Sequence, residues 1–583
     1  MPQRHRQHAD DLPMTRAKRA ISSPYPRASS PEAGHVRDAI RDELRALHAD
    51  ELAYLSQQWR RSSVPKAVSN SYTYLFWRTT RRYLHYLWQT WTRALWSTFF
   101  LPTTVLDRIS IAAFALVSSW IVFFLLVWCL IANHPLLTHT FTHWSRQRAN
   151  GLSLINAAYP KMFEELSIEQ LQAAKAALAK PLHGSPNTST KRVFNLDVAK
   201  LLLQCSALMY ERTSAPLHSA LDASTRHHQH GRHGHAENLH TSKPGALLSA
   251  ILGPDVAQQV SAQLHANPQE NALAAFAQRL GLRYNTVSEL NSQGSAFCGM
   301  FWDPAGTWII LAYKGTSPTE FVEWTTDFSF NPRDAGHWVR GWGKAHGGFV
   351  DKIFPRKIKP GARLPYDTIR EAVKATSKHL LASQPPGTQI NVWTTGHSLG
   401  CALASLVYAR QINEPRDLGR NIMVRDAYLF AAPILCDVES VNAFNNRMNH
   451  DADHPRTMWR ITNGLDVVAR SLPHSGDYTE WNHSPYNLFS YAHIGTELRL
   501  TPAPGPPIIS GETHITPGSH VRIESALMTN VSLLHTDKEA VKAQEWMRRV
   551  QEWPLVGRMV AHGTASYWMA LNEVRTGGCE WEE

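Results

Sequence analysis

Cysteine is scarce in this chain, with six among 583 residues, and none stand at paired spacing. Cys129, Cys205, Cys298, Cys401, Cys436 and Cys579 therefore do not read as a disulfide framework. Acidic residues are the scarcer sign of charge, 48 against 59 Lys and Arg, for a formal net charge of +11. A basic surplus invites nucleic acid as partner, but no binding motif accompanies it, so that class is set aside. No constellation resembles a catalytic metal site. The one His-rich stretch, Arg226 to His235 within residues 225–240, reads as a solvated inserted loop before it reads as a metal-binding tract. No internal repeat is present. At 43% hydrophobic residues the chain can build a sizeable core, and its length exceeds one ordinary domain.

The most informative stretch present is Gly396-His397-Ser398-Leu399-Gly400. It follows the β-prone run Ile390 to Thr395 and precedes the small, apolar run Cys401 to Leu406, which reads as a helix. A Gly-x-Ser-x-Gly turn from strand to helix strains the serine backbone and lifts Oγ clear of the sheet. The glycines are required where the two elements nearly touch. Such a serine needs a base, an orienting carboxylate and an oxyanion hole. Asp466, at the end of the strand-like run Trp459 to Asn463, is the first carboxylate candidate, and Asp437 is the alternative. Seven histidines follow Asp466. On local pattern His562, in a late loop entering an aromatic segment, and His493, in Tyr491-Ala492-His493-Ile494-Gly495, both remain open.

The ordered set of pieces resembles the class 3 lipases, the fungal triacylglycerol-lipase-like group of α/β-hydrolases. The pieces are Lys314-Gly315-Thr316 with Trp324 and Asp327, then His346-Gly347-Gly348-Phe349, then the serine turn. Phe430-Ala431-Ala432-Pro433 follows, then Asn463 to Val467 with Leu472-Pro473, Tyr491-x-His493-x-Gly495, and finally His562 with Tyr567. The resemblance covers roughly residues 190 to 570. It implies an α/β-hydrolase fold, a mostly parallel central sheet with helices on both faces. It implies further that Ser398, Asp466 and His562 form the triad, because in the family the late histidine before an aromatic is the base. By the same resemblance Thr316 and the Leu399 N–H supply the oxyanion hole. Family members have Arg where this chain has Lys314, which puts any bidentate contact of that Arg in doubt. Ser317 to Trp324 falls where the family carries a lid helix, and Trp338 and Trp342 read equally as lipid-docking or as core aromatics. The implied activity is lipid carboxylic ester hydrolysis through an acyl-enzyme, with acylglycerol favoured. No cofactor is required. A phospholipase, an esterase for small esters and a silent membrane-tethered binding module are the alternatives.

A second feature is hydrophobic. Ile109 to Ala132 runs about 24 residues without a charge, enough at about 1.5 Å per residue to cross a hydrocarbon core of roughly 30 Å. It begins too far into the chain, and is too long, for a secretory signal peptide. Residues 1–108 hold 17 Lys and Arg against 9 Asp and Glu. By the positive-inside rule this basic arm is expected in the cytosol, with the catalytic domain lumenal or extracellular. Within the arm, residues 1 to about 34 read as disordered and Val36 to Trp59 as an amphipathic helix. Between Tyr72 and Phe100, Trp and Tyr alternate with Arg in a pattern suited to a membrane interface. Sequons stand at Asn187, Asn482 and Asn530. The expected organisation is a basic arm (1–108), one transmembrane helix (109–132), a helical linker (133–190) opening with a capping box at Ser167 to Gln170, and an α/β-hydrolase domain (191–583).

Overall fold

The structure is a computed structural model that describes residues 31–61, 72–100, 103–149, 151–181, 192–221, 254–292, 296–329, 332–356, 363–450, 456–463, 466–470, 491–500, 521–524, 549, 556–574 and 580–581. The His-rich stretch, the three sequons, Leu472-Pro473, Cys579 and residues 1–30 of the arm lie outside the described residues.

Seven strands form the central sheet: β1 (Arg283–Ser288), β2 (Cys298–Trp302), β3 (Trp308–Tyr313), β4 (Ile390–His397), β5 (Ile422–Phe430), β6 (Met458–Asn463) and β7 (Thr496–Leu500). The helices that matter to the site are α1 (Pro31–Arg61), α2 (Tyr72–Phe100), α3 (Val105–Ala132), α4 (Ile168–Ala179), α5 (Leu196–Leu208), α6 (Pro268–Arg279), α7 (Phe321–Asp327), α8 (Pro365–Leu381), α9 (Leu399–Asn413) and α10 (Thr564–Glu573). The strands lie side by side in chain order. β2 is antiparallel to both neighbours, and β3 through β7 are parallel. β3 and β4 are buried at every residue, as strands sealed on both faces must be. This is an α/β-hydrolase arrangement.

Chain-order succession has a topological consequence. Right-handed crossovers between successive parallel neighbours put their helices on one face. α8 and α9 accordingly pack there, with Ile369, Val373, Leu403 and Leu406 against Ile309, Leu311 and Val392. The other face must be covered by chain from outside that succession. α4, α5, α6 and α10 do so, with Leu171, Leu202, Leu273 and Trp568 packed against Ile310, Trp393 and Tyr428. Every residue of α5 is buried. The helix expected after Ser167 is present, with the Ser167 and Gln170 capping box formed, but it is no linker element. The boundary drawn at residue 190 cuts through a packed layer, because the sheet's second face needs that segment.

The arm is also part of the fold. Ile40 and Leu44 of α1 enter the same core as α8, while Leu52 and Leu55 pack with Leu217, Leu221, Val260 and Leu264. His48 Nε2 lies 2.9 Å from Glu289 Oε1, and Ser288 Oγ donates to Glu51 at 3.0 Å. α2 and α3 form an antiparallel hairpin. The Tyr72 hydroxyl donates to the Leu130 carbonyl at 2.9 Å, and that of Tyr83 to the Ser119 carbonyl at 3.2 Å. Ala115, Ser118, Val122, Leu125 and Cys129 of α3 are buried at alternating spacings of three and four, one face of a helix. The expected apolar run lies inside α3, which is long and apolar enough to cross a membrane.

Candidate active site

β4 ends at His397, and Ser398 is the turn into α9, with φ 56° and ψ −130°. L residues rarely adopt such a backbone, so the strain sits at one serine between two elements that each continue regularly. The close approach is measurable. A Cβ on Gly396 would lie 2.7 Å from the Gly400 carbonyl, and one on Gly315 would strike the Tyr210 hydroxyl and the His397 carbonyl oxygen. The strand, the new helix and the Lys314-Gly315-Thr316 turn are thus held together by missing side chains.

The structure brings Ser398, His562 and Asp466 together. His562 Nε2 is 2.9 Å from Ser398 Oγ, and Nδ1 is 3.0 Å from each Asp466 oxygen. A carboxylate only accepts, so Nδ1 carries the proton, and Nε2 accepts the serine hydroxyl. Asp466 lies just past β6. Its Oδ1 accepts from the Val468 and Ala469 amides at 2.7 and 3.2 Å, and its Oδ2 from the Tyr567 hydroxyl at 2.6 Å. Burial alone would raise this carboxyl. The neighbouring imidazole and the bonds from His562, Tyr567 and Ala469 outweigh burial and hold it below the usual carboxylate range. The alternatives are engaged otherwise. Asp437 accepts from the Lys344 amide at 2.6 Å and caps the helix Val438–His450 through Ser440. His493 is buried between the pair Tyr491–Ala492 and β7.

Three further side chains, His397, Tyr210 and Tyr567, complete the support, and none carried a role in the sequence reading. His397 Nε2 lies 2.8 Å from the His562 carbonyl, which can only accept, so Nε2 donates. Nδ1 then accepts from the Tyr210 hydroxyl at 2.7 Å. Burial, with a lesser push from His562, lowers this ring to about 3, so it stays neutral with that tautomer. The variable position of the serine turn thereby ties the base's loop to α5's end. Tyr567 accepts from the Asn463 amide at 3.0 Å while donating to Asp466. Tyr567 lies early in α10, and only its place after His562 marks it in the sequence.

Leu399 follows the serine directly, and the turn that carries Thr316 reaches that serine through Gly315, whose added Cβ would lie 3.1 Å from the Ser398 Cβ. Leu399 is the first residue of α9, where helix N–H groups have no intrahelical acceptor. The Thr316 hydroxyl lies 2.6 Å from Asp327 Oδ2. Asp327 is half-buried, with its Oδ1 shielded from solvent, and desolvation pushes its carboxyl up to about 8. Lys314 donates to the Arg212 carbonyl and lies over the Phe297 ring, so no bidentate contact of the kind an Arg makes is formed there. Burial lowers the Lys314 ammonium to about 8. Arg212 in turn pairs with Glu270 at 2.8 Å and Glu289 at 2.5 Å, all three buried. The lid position is helical, as α7, and packs on the hairpin: Phe321 sits with Tyr86, Val122, Leu125, Leu126 and Cys129. Trp342 is buried and Trp338 stacks on Phe354 at 4.8 Å, so both belong to the core and not to a docking surface. Among the described residues no group of three or more His, Cys, Asp and Glu is placed to hold a metal ion.

Comparison with known proteins gives one family. Residues 310–475 match the model of Lipase (class 3). That segment contains Thr316, Ser398, Leu399 and Asp466, while His562 lies beyond it. Solved structures similar to the chain include the Rhizomucor miehei lipase propeptide complex, at 20% identity over 40% of this chain and 61% of that one, with a TM-score of 0.27. The lipase of Rhizopus microsporus var. chinensis matches at 18% identity over 40% and 64%, TM-score 0.27. Lipase II from Rhizopus niveus matches at 17% over 40% and 70%, TM-score 0.25. The chain thus spans about three-fifths of the length of the first of these. No curated protein matches it. Residues 310–475 are thus similar to the class 3 lipases, and the family match reaches no further along the chain than that segment.

Proposed function

We propose that this protein is a serine hydrolase that cleaves lipid carboxylic esters, acylglycerols first among them, at a membrane. Ser398 Oγ attacks the ester carbonyl while its proton passes to His562 Nε2. Asp466 holds the imidazole and stabilises its charge. The oxyanion takes hydrogen bonds from the Leu399 and Thr316 N–H groups. Collapse of the tetrahedral intermediate breaks the C–O bond, and His562 returns the proton to the leaving alcohol. Water then adds to the acyl-enzyme with the same base, releasing a carboxylic acid and free Ser398. The observation that carries this reading is the unbroken relay from Ser398 Oγ through His562 to Asp466, at 2.9 and 3.0 Å. The family segment supports a lipid ester as substrate. The apolar helix α3 supports membrane association.

A fluorophosphonate probe tests the chemistry. Labelling of the full chain that Ser398→Ala abolishes is the expected result, and no labelling of folded protein overturns the enzyme reading in favour of a binding module. Product profiling on mixed vesicles then separates the substrates. Release of fatty acid from acylglycerol ahead of phospholipid is expected, and the reverse order reassigns the enzyme as a phospholipase.

A further inference from the structure

α3 satisfies every compositional test for a membrane span, but its neighbours argue against a crossing. The two hydrogen-bonded rungs of the hairpin, Tyr72 to Leu130 and Tyr83 to Ser119, fix its register. Carrying that register along sets Arg81 and Arg82 of α2 level with Ile121 and Trp120, the centre of α3. Both arginines are exposed. A crossing α3 would hold their guanidiniums near the bilayer midplane, where arginines are rare and costly.

The catalytic domain makes the same point. It touches α3 at both ends: Phe114 packs on Ile434 and Tyr491, and Asn133 Nδ2 donates to the Thr319 carbonyl at 2.9 Å. Between them, Trp128 Nε1 donates to the Pro318 carbonyl at 3.2 Å, and Phe321 packs at Val122 to Cys129. From Phe114 to Asn133 is about 28 Å of helix. That is nearly the whole hydrocarbon thickness of roughly 30 Å. A crossing helix would drag a domain with charged surface residues through that depth.

We propose that the α2–α3 hairpin lies in the plane of one leaflet of an anionic membrane, as a monotopic platform, with the catalytic domain resting on its other side. The face of α3 turned from the protein is apolar over its length, through Ile109, Leu116, Trp120, Phe124, Val127 and Ile131, all exposed. α2 adds exposed Trp77, Trp88 and Trp96. An in-plane helix buries such a face in the acyl boundary while basic groups stay among headgroups. Residues 72–148 hold seven Arg and one acidic residue, Asp107, which is spent in the α3 capping box with Thr104. This charge selects anionic lipid. The arm and the catalytic domain then lie on one side, and ester enters toward Ser398 from the leaflet beside α7. The inference rests on the membrane reading above and not on the hydrolase chemistry.

The test uses the full chain with vesicles of phosphatidylcholine alone or mixed with phosphatidylglycerol. Nitroxide labels on cysteines introduced at Ile109, Trp120 and Ile131, with the unsubstituted chain as blank, report depth. In-plane docking gives three similar depths within the outer ~10 Å. External protease then reaches arm and catalytic domain alike. A Trp120 label near the midplane with Ile109 and Ile131 at opposite surfaces overturns the inference, as does protection of one side only. Arg81→Glu with Arg93→Glu is expected to lower flotation with the anionic vesicles at least tenfold, leaving turnover of a soluble ester unchanged; equal flotation overturns the anionic preference. Failure to float with any vesicle overturns membrane association itself, and probe labelling at Ser398 stands or falls separately.

Discussion

The serine turn and the apolar hairpin were the two loudest signals in the sequence, and they differ in how far sequence alone could take them. The turn is local. Gly396, Ser398 and Gly400 dictate a backbone that admits little but a strained serine at φ 56°, whatever surrounds it. The hairpin is relational. Nothing inside Ile109 to Ala132 tells whether that helix crosses a bilayer or lies in it. The in-plane arrangement proposed for it rests on Arg81, Arg82, Phe321 and Thr319, residues on other elements. A motif that fixes its own backbone can be read directly, whereas a hydrophobic run needs its partners.

The sharpest way to separate the two regions is to disable one and measure both. Ser398→Ala and His562→Ala are each expected to depress ester turnover by about 10⁴- to 10⁶-fold, and the double variant by little more than the worse single one. Vesicle flotation of these variants should match the parent, because the hairpin's face is untouched. Near-normal turnover in His562→Ala would displace it as the base, with His493→Ala the next variant to assay. Loss of flotation in Ser398→Ala would break the comparison, showing that site and platform are one cooperative unit.

The second prediction probes a contact that only the fold creates. Arg212 joins Glu270 and Glu289, and His48 of α1 reaches the same Glu289. Burial raises the Glu289 carboxyl, but Arg212 and His48 outweigh it and hold it at about 2. Arg212→Met leaves two buried carboxylates facing each other. A loss of about 3–5 kcal/mol is expected in denaturant unfolding. Replacing Glu289 by Gln as well should recover part of it, since the remaining charge is then easier to protonate. A neutral Arg212→Met would mean that α1 and its charges are peripheral to stability.

That network shows where legibility ended. The α/β class and the serine turn were readable from strand runs and spacing, whereas Asp466 was only preferred over Asp437 by its strand end, and the late histidine stood out from His493 only through the family resemblance. The place of α4 in the second helical layer was not readable, since it looks like any amphipathic connector until the sheet's chain-order topology demands a cover for its far face. His397 sat inside the recognised motif at a position the motif leaves free, so nothing marked its bond to the His562 carbonyl. Tyr210 and Tyr567 came from elements whose juxtaposition no local pattern encodes. Trp338 and Trp342 were balanced between lipid and core, and their burial against Phe354 and the α8 side decided it.

A third prediction sits where the two regions meet, because the Thr316 turn is two residues from the Pro318 carbonyl that α3 binds. Thr316→Val keeps the backbone N–H and removes the hydroxyl. If the hydroxyl assists the oxyanion, kcat falls by up to about 10²-fold with KM little changed, since that charge develops only toward the transition state. An unchanged kcat leaves the backbone N–H as the sole donor from this turn. Stopped-flow acylation with a chromogenic ester reads the step directly.

The smallest expected effect is a slope. Asp327 ends α7, beside the hairpin, and accepts or donates at Thr316 depending on its protonation. Desolvation pushes its carboxyl up to about 8, while the same group in the unfolded chain titrates near 3.8. Between those values the native state holds a proton that the unfolded state has lost. The unfolded state therefore binds fewer protons, and this group's contribution to stability falls as pH rises through that window and levels off above about 8. Below about 8 the neutral acid can donate to Thr316 Oγ1, which frees the threonine hydroxyl to turn toward the oxyanion. Asp327→Asn keeps a donor there and cannot ionise. Its Tm should exceed the parent's by a margin that widens from pH 5 to pH 8, and its turnover should lack whatever alkaline loss the parent shows near pH 8. Parallel Tm curves for the two proteins across that range would mean that Asp327 is ionised in the native state, and that α7 lies more open to water at its hairpin end than the packing of Phe321 and Trp324 indicates.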